Sequence, residues 1–357
     1  MNDRPPDRDP DRSAHGCRPA RPVAGAAERL SRLFADGEWA TRREWLRTRS
    51  DRNAFVSANI LLILERCGTL PDALAHQAVE ARRRLATYRV GHRAYFWPLA
   101  GTRSTMADAP PLWRHRLLVL SPDADDSALV QLVLKDAGFD DPLISDLATY
   151  RASPPRFALP AFQRHLGAEH TWLTWFPGPE RWHDHKLETV DLGVDANVLL
   201  YLGTIGRLDA PGTAETIAFV AESVTSGRVA REPFRVSLSY PRPVLLLYLV
   251  ARAAAWGGVA ALRALDGAIV DQLRTSRIDS TVELLCRETA LRILGAPPMA
   301  RSLPTPDGRG AFYVWPLLGL PLQRAPMLLP LAAAPVTHVR FTSEALEWAL
   351  RLWLETP

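Results

Sequence analysis

Apolar residues in this chain fall in blocks of helical length, and the blocks are of two kinds. The run Phe55-Val56-Ser57-Ala58-Asn59-Ile60-Leu61-Leu62-Ile63-Leu64 is apolar on nearly every side, and similar blocks start near residues 126, 195, 243, 280 and 343. An all-round apolar block predicts a helix buried on every face. Between these blocks lie amphipathic segments. Pro71–Tyr88 carries Arg82, Arg83 and Arg84 on one polar face, and Asp141–Tyr150, Ala214–Ser226 and Ala260–Thr275 show the same one-sided pattern. They predict outer helices. Ala26–Phe34 and Thr41–Arg49 predict a further helix or a broken pair, and no stretch sustains the period-two alternation of a half-buried strand, so few strands are expected. Six buried helices, each backed by an outer one, predict an all-α fold: an α/α toroid of about six helical hairpins, forming one domain over residues 26–357. A solenoid would show a tighter fixed repeat. The stretches Phe55-Val56-Ser57-Ala58 and Phe341-Thr342-Ser343-Glu344 begin helices at opposite ends of the chain, and are expected to be neighbours where the ring closes.

Composition narrows the functional classes. Of 357 residues, 47% are hydrophobic, enough for a large core, and the net charge is only +4. Arginine supplies nearly all the positive charge, since Lys135 and Lys186 are the only lysines. No basic stripe or nucleic-acid motif is visible, so nucleic-acid binding is not expected. Cys17, Cys67 and Cys286 are isolated and odd in number, which fits a reducing cytoplasm. Residues 1–25 are rich in Arg, Asp and Pro without the apolar core of a signal peptide, and read as a disordered tail. The most apolar stretches, Pro243–Leu262 and Leu317–Val336, are broken by Arg252 with Gly257-Gly258 and by Arg324 with four prolines. Neither reads as a membrane span; peripheral contact with a membrane surface is compatible with both.

The strongest chemical signal is Asp123-Ala124-Asp125-Asp126-Ser127-Ala128, three carboxylates in four positions ahead of an apolar helix. One reading is a helix cap, because side-chain oxygens there accept the free amide protons of the first turn. The other is an acid: crowded carboxyls cannot all ionise cheaply, and an apolar surrounding raises the pKa of one further. Asp191 and Asp195 would share a helical face; one reading is again helix capping, and the other is a second polar wall of the same pocket, formed with Asn197. Arg252, on an apolar helix, needs acceptors and is expected to pair with an aspartate. His183-Asp184-His185 offers metal-type side chains without an indicated third ligand, so no metal site is assigned there. No phosphate loop, nucleophile elbow or Cys/His pair occurs.

The acidic motif resembles the Asp-x-Asp-Asp-Thr-Ala element of class II terpenoid cyclases. With the helical pattern, the chain after residue 25 resembles the α/α-toroid terpenoid cyclases and protein prenyltransferases, a superfamily that includes squalene–hopene cyclase. Asp36-Gly37-Glu38-Trp39 and Asp307-Gly308-Arg309-Gly310 with Trp315 are faintly similar to that family's glycine–tryptophan repeats. The resemblance implies that Asp125 is the general acid, flanked by Asp123 and Asp126, with Ser127 where threonine is usual. It implies protonation-initiated cyclisation of a hydrophobic isoprenoid in a dry, aromatic-lined cavity, where π-faces stabilise the carbocation. Expected cavity residues are Trp175, Phe176, Asp195, Asn197, Tyr201, Tyr248 and Trp315. No cofactor is expected for the chemical step, with Mg²⁺ admitted only for a diphosphate substrate. Only one toroid fits this length, and the Asp-Asp-x-x-Asp metal motif of class I enzymes is absent. The rival expectation is a non-catalytic toroid that binds a lipid or peptide, or serves as an accessory protein.

Overall fold

A computed structural model describes residues 23–45, 47–100, 103–105, 119–153, 158–177, 189–318 and 325–356. In chain order the longer helices are α1 (Val23–Arg32), α2 (Ala54–Glu65), α3 (Asp72–Leu85), α4 (Ala124–Leu134), α5 (Asp140–Thr149), α6 (Leu192–Thr204), α7 (Thr213–Thr225), α8 (Pro243–Ala255), α9 (Asp266–Thr275), α10 (Thr281–Ile293) and α11 (Glu344–Glu355). Among the strands are β3 (Thr41–Glu44), β4 (Thr48–Asp51), β5 (Arg89–Val90), β6 (Arg93–Ala94), β10 (Ala311–Pro316) and β11 (His338–Thr342). The remaining strands are β1 (Phe34–Ala35), β2 (Glu38–Trp39), β7 (Leu99–Ala100), β8 (Arg103–Thr105) and β9 (Val119–Leu120).

The buried blocks fold as their pattern predicts. Helix α2 buries every residue from Ala54 to Leu64, α4 every residue from Ala124 to Val133, α6 every residue from Leu192 to Leu202, and α8 every residue from Val244 to Ala254. The starts of α2, α4, α6, α10 and α11 are capped by side chains: Asn53 accepts from the Val56 amide, Asp123 from Asp126, Asp191 from Gly193, Ser280 from Glu283 and Ser343 from Leu346. These caps satisfy amides that a helix cannot satisfy itself. Contacts run from α2 to α4, α6, α8, α10 and α11 in turn, and α11 packs back against α2. Helices α6 and α8 cross closely: a Cβ at Gly203 would lie 2.0 Å from the Gly257 carbonyl oxygen.

The all-α expectation is overturned. Strands β10, β11, β3 and β4 form a four-stranded antiparallel sheet in that order, and the other strands form sheets of two and three. The segment Thr41–Arg49, expected to be helical, holds β3 and the start of β4, and Thr41 pairs with Asp51. The structure does not show an α/α toroid of six hairpins: among the described residues, the chain between α10 and α11 carries β10 and β11 and no helix longer than the four residues of Leu329–Ala332, so no outer helix backs α10 there. These strands escaped the pattern for a physical reason. Most are two to four residues long, too short for alternation to register, and β10 and β11 are buried on both faces. Phe341 of β11 pairs with Arg43 of β3, so the two ends of the chain do meet, through a sheet as well as through α11 and α2. The expected helix over Ala260–Thr275 is interrupted after Arg263, and residues 23–25, expected in the tail, begin α1. Residues 1–22, the His183-Asp184-His185 triplet and Cys17 lie outside the described residues. Among the described residues no helix is long and apolar enough to cross a membrane.

Candidate functional site

The N-terminal ends of α4 and α6 and the residues leading into α8 converge on one acidic centre. Asp123, Asp125 and Asp126 are each no more than 3% exposed. One oxygen from each lies within 4.8 Å of the others, a spacing that could also gather around a single cation. Asp123 caps α4, its Oδ1 accepting from the Asp126 amide at 2.7 Å. Ser127 Oγ donates to the Asp123 carbonyl at 2.6 Å and accepts from the Ala94 amide at 2.9 Å, which ties β6 to the first turn. The Trp175 segment closes the other side, where the Ala124 amide donates to the Thr174 carbonyl and Phe176 to Pro122. The motif therefore caps the helix, as its first reading expected, and buries three carboxyls at the same point.

Hydrogen bonding distinguishes the three. Asp125 receives the most donors. Its Oδ2 accepts from the Tyr240 hydroxyl at 2.5 Å and from Asn197 Nδ2 at 3.4 Å. Its Oδ1 accepts from the Asp126 amide at 3.0 Å, and a carboxyl–carboxyl hydrogen bond joins it to Asp123. Burial pushes all three carboxyls up. Asp123 is raised well above the usual range by burial and then by the charges of Asp126 and Asp125, and Asp126 likewise by burial and the Asp125 charge. The Asp125 donors oppose the rise. The resemblance implied Asp125 as the general acid; in the structure the three buried carboxyls share their protons as one interacting group, and Asp125 is the member that meets the most donors.

Asp191 and Asp195 extend the acidic centre along α6. Asp191 is held by the amides of Gly193 and Ser239 at 2.9 Å each and by Ser237 Oγ at 2.7 Å. Both Asp195 oxygens are buried without a partner, and burial followed by the charges of Asp191 and Asp125 raises its pKa strongly. Beyond Asn197 stands Arg252, fully buried. Its Nη2 donates to Asn197 Oδ1 at 2.8 Å and its Nη1 to Asn59 Oδ1 at 2.6 Å. The expected aspartate partner is thus reached only through an amide.

An aromatic layer covers the carboxyls. Tyr313 stacks on Phe96 with centroids 5.0 Å apart, and lies 5.6 Å from Tyr240 and 5.5 Å from Phe341. Burial and then the charges of Asp123, Asp125 and Asp126 raise its pKa, and Tyr240, against which it packs, bonds Asp125. Phe55 packs 5.7 Å from both Tyr240 and Phe312. Next to this layer opens a cavity of about 950 Å³ whose walls include Tyr240, Phe312, Phe234, Leu245, Arg309 and His338. Tyr240 belongs to both spaces, for it lines the cavity and holds Asp125.

Of the residues expected at the site, Asn197 bonds Asp125 directly. Asp195 acts on the same centre by charge, and Trp175 pairs by backbone with Asp123. Phe176 packs 5.9 Å from Tyr150. Tyr248 accepts from Arg252 at 3.4 Å and meets Phe312 edge-on at 6.3 Å. Tyr201 is not part of the centre: it sits two turns along α6 and donates to Asp140 at 2.6 Å. Trp315 packs on Trp97 at 5.6 Å. Tyr240, Tyr313, Phe55, Phe96 and Asn59 were missed. One signal could have found Asn59, since Ala58-Asn59 and Ala196-Asn197 both stand at the fifth and sixth positions of α2 and α6, before an apolar run.

No family model matches the chain, and no curated protein matches it. A crystal structure of a protein from Actinoplanes is similar over 94% of this chain and 98% of that one, with a TM-score of 0.50 and 13% sequence identity. That likeness concerns the fold alone.

Proposed function

We propose that the protein is a Brønsted-acid catalyst of the class II terpenoid cyclase type, which starts cyclisation of an isoprenoid by protonating a carbon–carbon double bond. One observation carries this reading: Asp123 and Asp125 lie buried with Asp126, an oxygen of each within 4.8 Å of the others and next to an aromatic layer, a crowding that lets the carboxyl pair hold one proton between them. In the proposed step the π pair of the alkene takes the shared proton, the carboxyl pair is left with one more negative charge, and the carbocation is attacked by the next double bond. Loss of a proton to water closes the sequence and leaves the substrate's atoms unchanged in number. Tyr240, Tyr313, Phe96 and Phe312 offer π-faces to the migrating charge, and exclusion of water protects it. For a diphosphate substrate, Mg²⁺ would accompany the substrate's own oxygens.

The cavity supports a second reading. Its walls include Tyr240 but none of the three carboxyls, which favours a protein that binds a lipid or peptide without transforming it. Incubation of the full chain with squalene and a panel of prenyl diphosphates separates the two. The cyclase reading expects cyclised product from the wild type and none from Asp123→Asn or Asp125→Asn. Binding without product in the wild type, or product that survives both substitutions, sinks it.

A further inference from the structure

Arg252 presents an unusual problem of charge. It is fully buried in α8, yet among the described residues no carboxylate forms an ion pair with it, and its Nε has no partner. Its charge is met by neutral groups: the side-chain oxygens of Asn59 and Asn197, the Tyr248 hydroxyl, and the faces of Tyr248 and Trp256, over which the guanidinium carbon lies 5.1 and 5.9 Å from the ring centroids. A buried cation is costly unless paired, and a methionine or leucine would fill the same volume without that cost. The two amides supply what an apolar residue could not.

An amide has one donor end and one acceptor end. Because Asn197 Oδ1 is taken by Arg252 at 2.8 Å, its NH₂ must face the other way, where it meets Asp125 Oδ2 at 3.4 Å. Flipping the amide would set its NH₂ against the guanidinium and its oxygen against the carboxylate, two repulsive contacts at once. Asn59 is fixed by the same logic, its Nδ2 donating to the Phe55 carbonyl at 2.9 Å while its oxygen accepts from Arg252. The guanidinium therefore dictates the polarity of every group between itself and the acidic centre. The same Oδ2 also accepts from Tyr240 at 2.5 Å, so this edge of Asp125 meets only donors.

We infer that Arg252, acting through Asn197, is a positioning residue that reserves the Oδ2 edge of Asp125 for hydrogen-bond donors and so favours the carboxylate form of Asp125 within the triad. The inference deepens the acid-catalyst reading and rests on it for its catalytic consequence, while the ionisation of Asp125 can be measured without a substrate. The other acidic side chains acting on Asp125 are Asp123 and Asp126 on α4 and Asp191 and Asp195 on α6, and none of them meets Arg252 directly.

The test uses the full chain labelled with ¹³C at the aspartate carboxyl carbons, with the Asp125 resonance assigned by its loss in Asp125→Asn. At pH 7 the wild type should show Asp125 as a carboxylate. Asn197→Asp keeps an acceptor for Arg252 but turns an oxygen toward Asp125, and should shift the Asp125 resonance to that of a carboxylic acid. Asn197→Leu, which removes the donor without reversing the polarity, should shift it in the same direction, and Arg252→Lys should leave it nearest to the wild type. Where turnover is measurable, Asn197→Asp should lose about a hundredfold in kcat with little change in KM. An Asp125 resonance that stays at the wild-type position in both Asn197 variants overturns the inference. A wild type that behaves as described but makes no product overturns the cyclase reading and leaves the positioning role intact.

Discussion

The Tyr240 hydroxyl lies 2.5 Å from Oδ2 of Asp125, joining residues 115 positions apart in the chain. Tyr240 stands ahead of α8 and Asp125 in the first turn of α4, so the bond exists only because these helix starts face one another. It also connects the buried carboxyls to the wall of the open cavity.

Tyr240→Phe should keep the ring in place and remove only the hydroxyl. With one donor fewer, Asp125 becomes harder to ionise, and the loss of a hydrogen bond to a charged group should cost about 1.5–3 kcal/mol. Chemical denaturation checks the stability, and single-turnover assays with whichever isoprenoid is accepted check the chemistry. An unchanged midpoint of unfolding would mean that the bond contributes nothing to the folded state.

Gly193 makes room for that ring. A Cβ there would come within 2.1 Å of Tyr240 Cδ2, far inside contact distance, so Gly193→Ala should push the ring away from Asp125. The expected loss is on the order of 1–3 kcal/mol, as for other overpacked cores. Combining Gly193→Ala with Tyr240→Leu should cost less than the sum of the two single changes, because the smaller side chain removes the clash. Strict additivity would argue against it.

The crossing of α6 and α8 is less forgiving. The atom facing Gly203 is a backbone oxygen, 2.0 Å from where a Cβ would stand, and it cannot rotate aside. Gly203→Ala should therefore destabilise more than Gly193→Ala. Thermal melts of the two variants in one buffer compare them directly, and the reverse order would show that α8 can slide along α6.

Stability should fall as pH rises. Glu347 is fully buried, with Oε2 accepting from the amides of Asp307 and Gly308 and Oε1 unpartnered. Burial raises its carboxyl from 4.5 to about 7. The folded state thus binds this proton more tightly than the unfolded chain. Its contribution is fully present below pH 4.5 and is lost as pH climbs through about 7, up to about 3 kcal/mol in total. Asp123, Asp125, Asp126, Asp191 and Asp195 are raised in the same direction. The melting temperature should be higher at pH 5 than at pH 8. In Glu347→Gln, whose amide oxygen can still accept from both backbone donors, the fall between those values should be smaller. An equal fall in the variant would remove Glu347 from the account.

Much of this molecule is local. The all-round apolar runs, the Asn, Asp and Ser caps, and the acidic turn at Asp123-Ala124-Asp125-Asp126 are short-range patterns, and each appears in the structure where the pattern puts it. A run of ten buried residues needs no distant partner to be recognised as a buried helix. The sheet is different, because β3 and β4 near one end of the chain pair with β10 and β11 near the other. Their pairing depends on residues almost three hundred positions away, and a strand buried on both faces leaves no alternation to read. The division of labour within the triad was equally beyond the sequence. Three adjacent carboxyls look alike along a chain; what separates them is that Tyr240, Asn197 and, behind it, Arg252 arrive from other helices and give Asp125 more donors than its neighbours have. Sequence alone determined that carboxyls would crowd at a buried helix start, and the tertiary structure decided which of them meets the most hydrogen-bond donors, because those donors are brought from afar by the packing of other helices and set where negative charge is cheapest.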